Sequence, residues 1–94
     1  MPIYVALGTC TDEGMKNLTA LADRHLQAVK RAEGLGGKVI GSYAVMGHYD
    51  FVVILEAPDE KVALRILTRE ASGGNVRYET MTAIPTAEFA KAVE

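Results

Sequence analysis

The stretch Phe51 to Glu56, FVVILE, is apolar on two sides at once. Successive side chains of a strand point to opposite faces, so a strand with one wet face alternates apolar with polar. Here Phe51, Val53 and Leu55 share one side, and Val52 and Ile54 share the other. The run is short and half of it is β-branched, which marks it as the centre of a strand from Asp50 to Glu56 and not a buried helix. Any fold that contains it must cover both of its faces.

Around this run the chain alternates strand and helix signals. Ile3, Val5 and Leu7 alternate with Tyr4, Ala6 and Gly8, a period-two pattern that predicts a first strand. Thr11 is placed to cap a helix, with Asp12 and Glu13 in its positive first turn. That helix is expected to run to about Glu33, with Met15, Leu18, Ala22, Val29 and Ala32 as its apolar stripe. Gly34, Gly36 and Gly37 end it. A second strand follows from Lys38 to Met46. It is expected to show Val39, Gly41, Tyr43 and Val45 on one side, and Ile40, Ser42 and Ala44 on the other.

After FVVILE, Asp59 is the expected cap of a second helix. Its inward residues read as Ala63, Leu64, Ile66 and Leu67, and Ser72-Gly73-Gly74 closes it. A fourth strand, Asn75 to Ile84, sets Val76, Tyr78, Thr80 and Thr82 against Arg77, Glu79, Met81 and Ala83. Pro85 and Thr86 open a short terminal helix whose apolar contacts would be Phe89 and Val93. The order β-α-β-β-α-β predicts an α+β, ferredoxin-like plan over a single domain, residues 1–94. That plan is a four-stranded antiparallel sheet with two helices on one face, plus the short C-terminal helix. Right-handed crossovers put the first and third strands side by side in the centre.

Helices on one face leave the other bare, and that face is greasy whichever side it is. The third strand offers Phe51, Val53 and Leu55 one way and Val52 and Ile54 the other, and the first offers Ile3, Val5 and Leu7 against Tyr4 and Ala6. Monomers seldom tolerate a large apolar patch, so self-association through the open sheet face is expected, as a homodimer or a higher oligomer. Ten basic and twelve acidic residues are scattered along the chain for a net charge of −2, with no block that would track phosphates. No nucleic acid partner is expected. No eighteen-residue apolar run exists and the opening MPIYVALGTC reads as a strand, so no membrane partner and no signal peptide are expected. Cys10 is the only cysteine, which fits a reducing compartment and a cytoplasmic location.

The residues with chemistry gather in MGHYDF, the turn between the second and third strands. Gly47 can supply a positive φ, Asp50 can accept backbone hydrogen bonds, and Tyr49 can pack its ring while its hydroxyl stays wet. The same residues also read as a ligand-facing corner, with Tyr49 and Asp50 as hydrogen-bonding groups and His48 as a titratable neighbour. His25 falls in the apolar stripe of the first helix, where it is either a core histidine or, facing a cavity, a base or ligand contact. His25 and His48 without further ligands make no metal signature, and no cofactor motif is present. Arg77 and Glu79 share one strand face and are expected to form a cross-strand ion pair, with a polar patch as the alternative. Arg24 is expected to be a solvated helix charge, with a carboxylate clamp as the alternative.

The segments MGHYDF, TDEG, GGKV, EAPDE and GNVRYET, taken together, resemble a GYD domain protein from Tyr4 to about Phe89. The motif that names the family, Gly-x-Tyr-Asp, is present as Gly47-His48-Tyr49-Asp50. The resemblance implies a dimeric α/β-barrel protein in the ferredoxin-like superfamily, with no assigned biochemical role. A fainter likeness links the Gly47 to Asp50 turn to the effector-binding domain of leucine-responsive regulators, which hold small metabolites at subunit contacts. The DNA-binding helix-turn-helix of those regulators is not among these residues. The expected function is a dimeric small-molecule binding or sensing module. The alternative is a cofactor-free, monooxygenase-like enzyme of the dimeric α/β-barrel type, with His25 or His48 as base beside Tyr49.

Overall fold

Strand β1 (Ile3–Cys10) lies between β3 (Phe51–Glu56) and β4 (Val76–Ala83), with β2 (Lys38–Ala44) on the far side of β3. The order β2-β3-β1-β4 is antiparallel throughout, in a computed structural model that describes every residue from Met1 to Glu94. Paired residues share a side of the sheet, and the register sorts them. Tyr4 stands opposite Leu55 and Thr82, Ala6 opposite Val53 and Thr80, and Gly8 opposite Phe51 and Tyr78. This side meets helices α2 (Leu21–Gly34) and α3 (Glu60–Ala71). The core is Tyr4, Ala6, Leu55 and Ala57 packed against Ala32, Ala63, Ile66 and Leu67. Half of those eight residues are alanines, so the helices lie close to the sheet but fill little volume.

The opposite side carries Val5 and Leu7, paired with Ile54 and Val52 of β3 and with Met81 and Glu79 of β4. None of these is buried, and Met81 is 42% exposed. The fold is therefore the ferredoxin-like α+β plan, with β1 and β3 central as expected.

The first helix does not run unbroken to Glu33. It divides into α1 (Asp12–Lys16), a 3-10 turn (Leu18–Ala20) and α2. Thr11 caps α1 by accepting the Gly14 N–H at 3.0 Å, and its own hydroxyl donates to the Gly74 carbonyl at 2.6 Å. Gly14 is pressed against the start of β4, where a Cβ would come within 2.0 Å of the Asn75 carbonyl oxygen. The Asn17 side chain donates to the Glu13 carbonyl and to Asn75 Oδ1, and Arg24 donates to the Asn17 carbonyl at 3.0 Å. Arg24 thus occupies a carbonyl that an unbroken helix would use for its next turn. The break rephases the apolar stripe. Ala32 is buried and Leu21, Ala28 and Val29 are half-buried, whereas Met15, Leu18 and Ala22 are exposed. His25 is exposed too, so the core-histidine reading is corrected.

A bulge at Ile40 and Gly41 corrects the expected faces of β2. Val39 opposes Leu55 on the helix side, but Gly41 and Tyr43 oppose Ile54 and Val52 on the open side. Asp59 caps α3 as expected, accepting the Val62 N–H at 2.9 Å. Ala63, Ile66 and Leu67 are buried, but Leu64 is exposed because it lies about 100° round the helix from Ala63. Helix α4 (Thr86–Ala92) buries nothing in this chain, and Phe89 and Val93, expected as contacts, are exposed with Ile84 before them. No helix is long and apolar enough to cross a membrane.

Candidate functional site

The β2–β3 turn is tied to β1 more than to itself. Gly47 has φ +128, a conformation that glycine takes without strain. Val45 N–H donates to the Asp50 carbonyl, and Asp50 N–H donates to the Gly8 carbonyl, each at 2.8 Å. The Asp50 carboxylate then accepts the Cys10 N–H at 2.8 Å. Asp50 therefore fixes the last residue of β1 immediately before the cap of α1, and one of its oxygens is spent on that task.

His48 is exposed, and its ring meets that of Tyr49 edge to face, with centroids 4.8 Å apart. The Tyr49 hydroxyl donates to Glu79 Oε2 at 2.5 Å. That hydrogen bond to a carboxylate raises the Tyr49 pKa above its ordinary value, with burial and the Glu79 charge acting in the same direction. Glu79 stands opposite Leu7, so this bond reaches the rim of the open sheet face. Glu79 is engaged by Tyr49 and forms no ion pair with Arg77, which corrects that expectation.

A second region lies on the other side of the sheet. Between α2, α3 and the helix-facing side chains is a cleft of about 400 Å³. Its apolar surface comes from Val29, Val39, Val53, Leu55, Phe51 and Val76. Arg31 of α2 and Glu70 of α3 join the two helices by two parallel hydrogen bonds, both 2.8 Å. Glu70 holds the Arg31 pKa above its ordinary value, first through these bonds, against an opposing cost of burial and with its charge adding to the rise. Tyr78, opposite Gly8, also lines the cleft. Burial, and then the Glu70 charge, raise its pKa, so its phenol stays protonated at neutral pH and can donate. It makes no hydrogen bond within the chain.

His25 lines this cleft, and none of Gly47, His48, Tyr49 and Asp50 does. The residues singled out from the sequence thus fall into two places on opposite sides of one sheet. The cleft also contains Ser42, Arg24, Arg69, Asn75 and Tyr78, which sequence reasoning did not assemble. One signal was available in β4, where Tyr78 carries a polar tip at a strand position that faces the helices; the bulge in β2 hid Ser42. No group of three or more His, Cys, Asp or Glu side chains converges as a metal site would require.

The model of the GYD domain family matches residues 4–93. A relative from Thermus thermophilus, 37% identical over 90 residues and aligned over 95% of both chains, is named "Glutamine synthetase and cystathionine beta-lyase binding protein". Among solved structures, the leucine response regulatory protein LrpA of Mycobacterium tuberculosis superposes with a TM-score of 0.63 at 15% identity. The match covers 89% of this chain and 51% of that one, so this chain spans about half the regulator's length. The protein TTHA0845, also from Thermus thermophilus, superposes with a TM-score of 0.57 at 21% identity, over 90% of this chain and 95% of the other. At such identities the two structures share the fold and nothing more is drawn from them.

Proposed function

The chain belongs to the GYD domain family, and from that premise we propose a homodimeric binding or sensing module, a single domain over residues 1–94, that is not itself a catalyst. The observation that carries this reading is the uncovered face of the sheet. Val5, Leu7, Val52 and Ile54 form its apolar centre, and Tyr43, 59% exposed, and Met81 extend it on either side. Polar groups edge this centre, with Lys38 opposite Glu56 at one end and Tyr49 bonded to Glu79 at the other. An apolar centre inside a polar rim is the composition of a protein interface. A stable contact between two proteins usually removes about 800 Å² per partner from water, and a twin laid face to face is the simplest cover of this kind.

A binding role agrees with the name of the Thermus relative, which describes a protein that binds two enzymes. For this chain the proposal is a regulatory partner that recognises another protein, a small metabolite or both. His48 and Tyr49 at the rim, and the cleft beside His25, are the two places to look. Cys10 as the only cysteine supports a reducing, cytoplasmic setting.

The second reading, a cofactor-free enzyme, is favoured by His25 lining a cleft. The Tyr49 that this reading sets beside it bonds Glu79 instead. That reading requires turnover that disappears in His25→Ala, whereas a binding module keeps its assembly in that variant. Size-exclusion chromatography with light scattering tests the proposed function. The expected mass at micromolar concentration is that of two chains; the mass of one chain would overturn it.

A further inference from the structure

The cleft between α2 and α3 is rich in donors and poor in acceptors. Glu70 is the only acid that lines it, and Arg31 engages both of its oxygens. Arg24 is half-buried and has given one N–H to Asn17, so the rest of its donor fork is unused. Arg69, His25, Ser42 and Tyr78 line the same space and make no side-chain hydrogen bond within the chain. With Arg31 and Glu70 neutralising each other, Arg24 and Arg69 leave the cleft with surplus positive charge. The same cleft also offers hydrocarbon surface from Val29, Val53 and Phe51.

We infer that this cleft binds a small apolar monocarboxylate, its hydrocarbon body on Val29, Val53 and Phe51 and its carboxylate against Arg24 and the Tyr78 phenol, with Arg69 as the second cation. The inference deepens the small-molecule part of the proposed function and rests on it. Volume sets the size: about 400 Å³ is near the lower end for ligand sites and suits about ten to fifteen non-hydrogen atoms. Charge sets the head group. A guanidinium fork matches a carboxylate, and a phenol that stays protonated can donate to the same oxygens. Arg69 to Gly73 also bring the C-terminal end of α3 to the cleft, and its negative dipole opposes any anion, a dianionic phosphate about twice as strongly as a monocarboxylate.

The experiment titrates phenylacetate and 4-methylpentanoate into the ¹⁵N-labelled full-length protein, with the matching amides as neutral controls and phenyl phosphate as the dianion. The acids are expected to move the amide signals of Val53, Tyr78 and Ser42, and to bind at least about ten-fold more tightly than their amides. Arg24→Gln is expected to weaken the acids about ten-fold and Tyr78→Phe about three-fold. Arg69 is exposed and spends no bond on the fold, so Arg69→Gln tests the charge with the structure intact. Equal binding of acid and amide, tighter binding of phenyl phosphate, shifts confined to the Gly47–Asp50 turn, or no shift at millimolar ligand would each overturn the inference. A dimer that ignores every probe loses this inference alone, and a lone chain that binds phenylacetate keeps it and loses the twin.

Discussion

The two faces of this sheet are made from alternate residues of the same strands, with similar side chains, and they end in opposite conditions. On one, Tyr4, Ala6 and Leu55 are at most 4% exposed beneath Ala32, Ala63, Ile66 and Leu67. On the other, Val5, Leu7, Val52 and Ile54 are half-buried, and Tyr43 and Met81 beside them are exposed. Hydrophobicity alone therefore does not decide what is core. It marks what must be covered, and the topology decides whether the chain supplies the cover. The covered face is also incompletely filled: half of its core residues are alanines, and Ala32, Leu55, Ile66 and Leu67 line the cleft as well as the core.

If the open face is an interface, charge placed on it attacks assembly and leaves folding intact. The double variant Val52→Lys, Ile54→Lys is expected to weaken self-association at least a thousand-fold, about 4 kcal/mol, with the far-ultraviolet circular dichroism of the wild type. Sedimentation across a concentration series reads this directly. Loss of helix and strand signal would mean that the open face stabilises the chain from within. Leu55→Ala is the counterpart on the covered face. Leu55 is 1% exposed and is the largest fully buried side chain, so its truncation is expected to cost about 3 kcal/mol in urea unfolding. Its assembly, measured where it is still folded, should be unchanged.

The turn gives a smaller effect that sharpens the contrast. Asp50→Ala leaves the Cys10 N–H without its acceptor and is expected to cost about 1–2 kcal/mol. If Asp50 is scaffold and not a ligand group, probe binding in the α2–α3 cleft will survive the change. The smallest effect lies at the rim. Replacing Glu79 with Gln removes the carboxylate that raises the Tyr49 pKa, so one tyrosine should ionise at lower pH in a titration followed at 295 nm. Tyr4, Tyr49 and Tyr78 all ionise above the ordinary value of 10.0. A raised folded pKa contributes stability that is complete below the unfolded value and is lost as pH climbs through the folded one. Stability should therefore fall on the alkaline side, above about pH 10.

Most of this plan could be read from the residues, and what could not has physical causes. The alternation in β1 and β4 sorted their faces correctly because those strands pair without interruption. In β2 the period of two fails at Ile40 and Gly41, where one extra residue flips the phase. The long helix breaks because Gly14 and Asn17 meet Asn75, a contact between residues some sixty positions apart that local periodicity does not contain. Of the two readings open for His25, core or cavity, its place is on the cleft. Phe89 and Val93 signalled burial with no surface in this chain to bury against. The cleft was the least legible feature, since Arg24, Ser42, Arg69 and Tyr78 come from four separate elements.

The central claim is that a second copy covers the side of the sheet bearing Val5, Leu7, Val52 and Ile54. An equimolar mixture of ¹³C-labelled and unlabelled chains, studied by isotope-filtered nuclear Overhauser spectroscopy, asks which methyl groups touch another molecule. The account predicts contacts between chains from those four residues and none from Leu55 or Ile66. A particle of 10.1 kDa with no such contacts, or contacts arising only elsewhere on the surface, would contradict it.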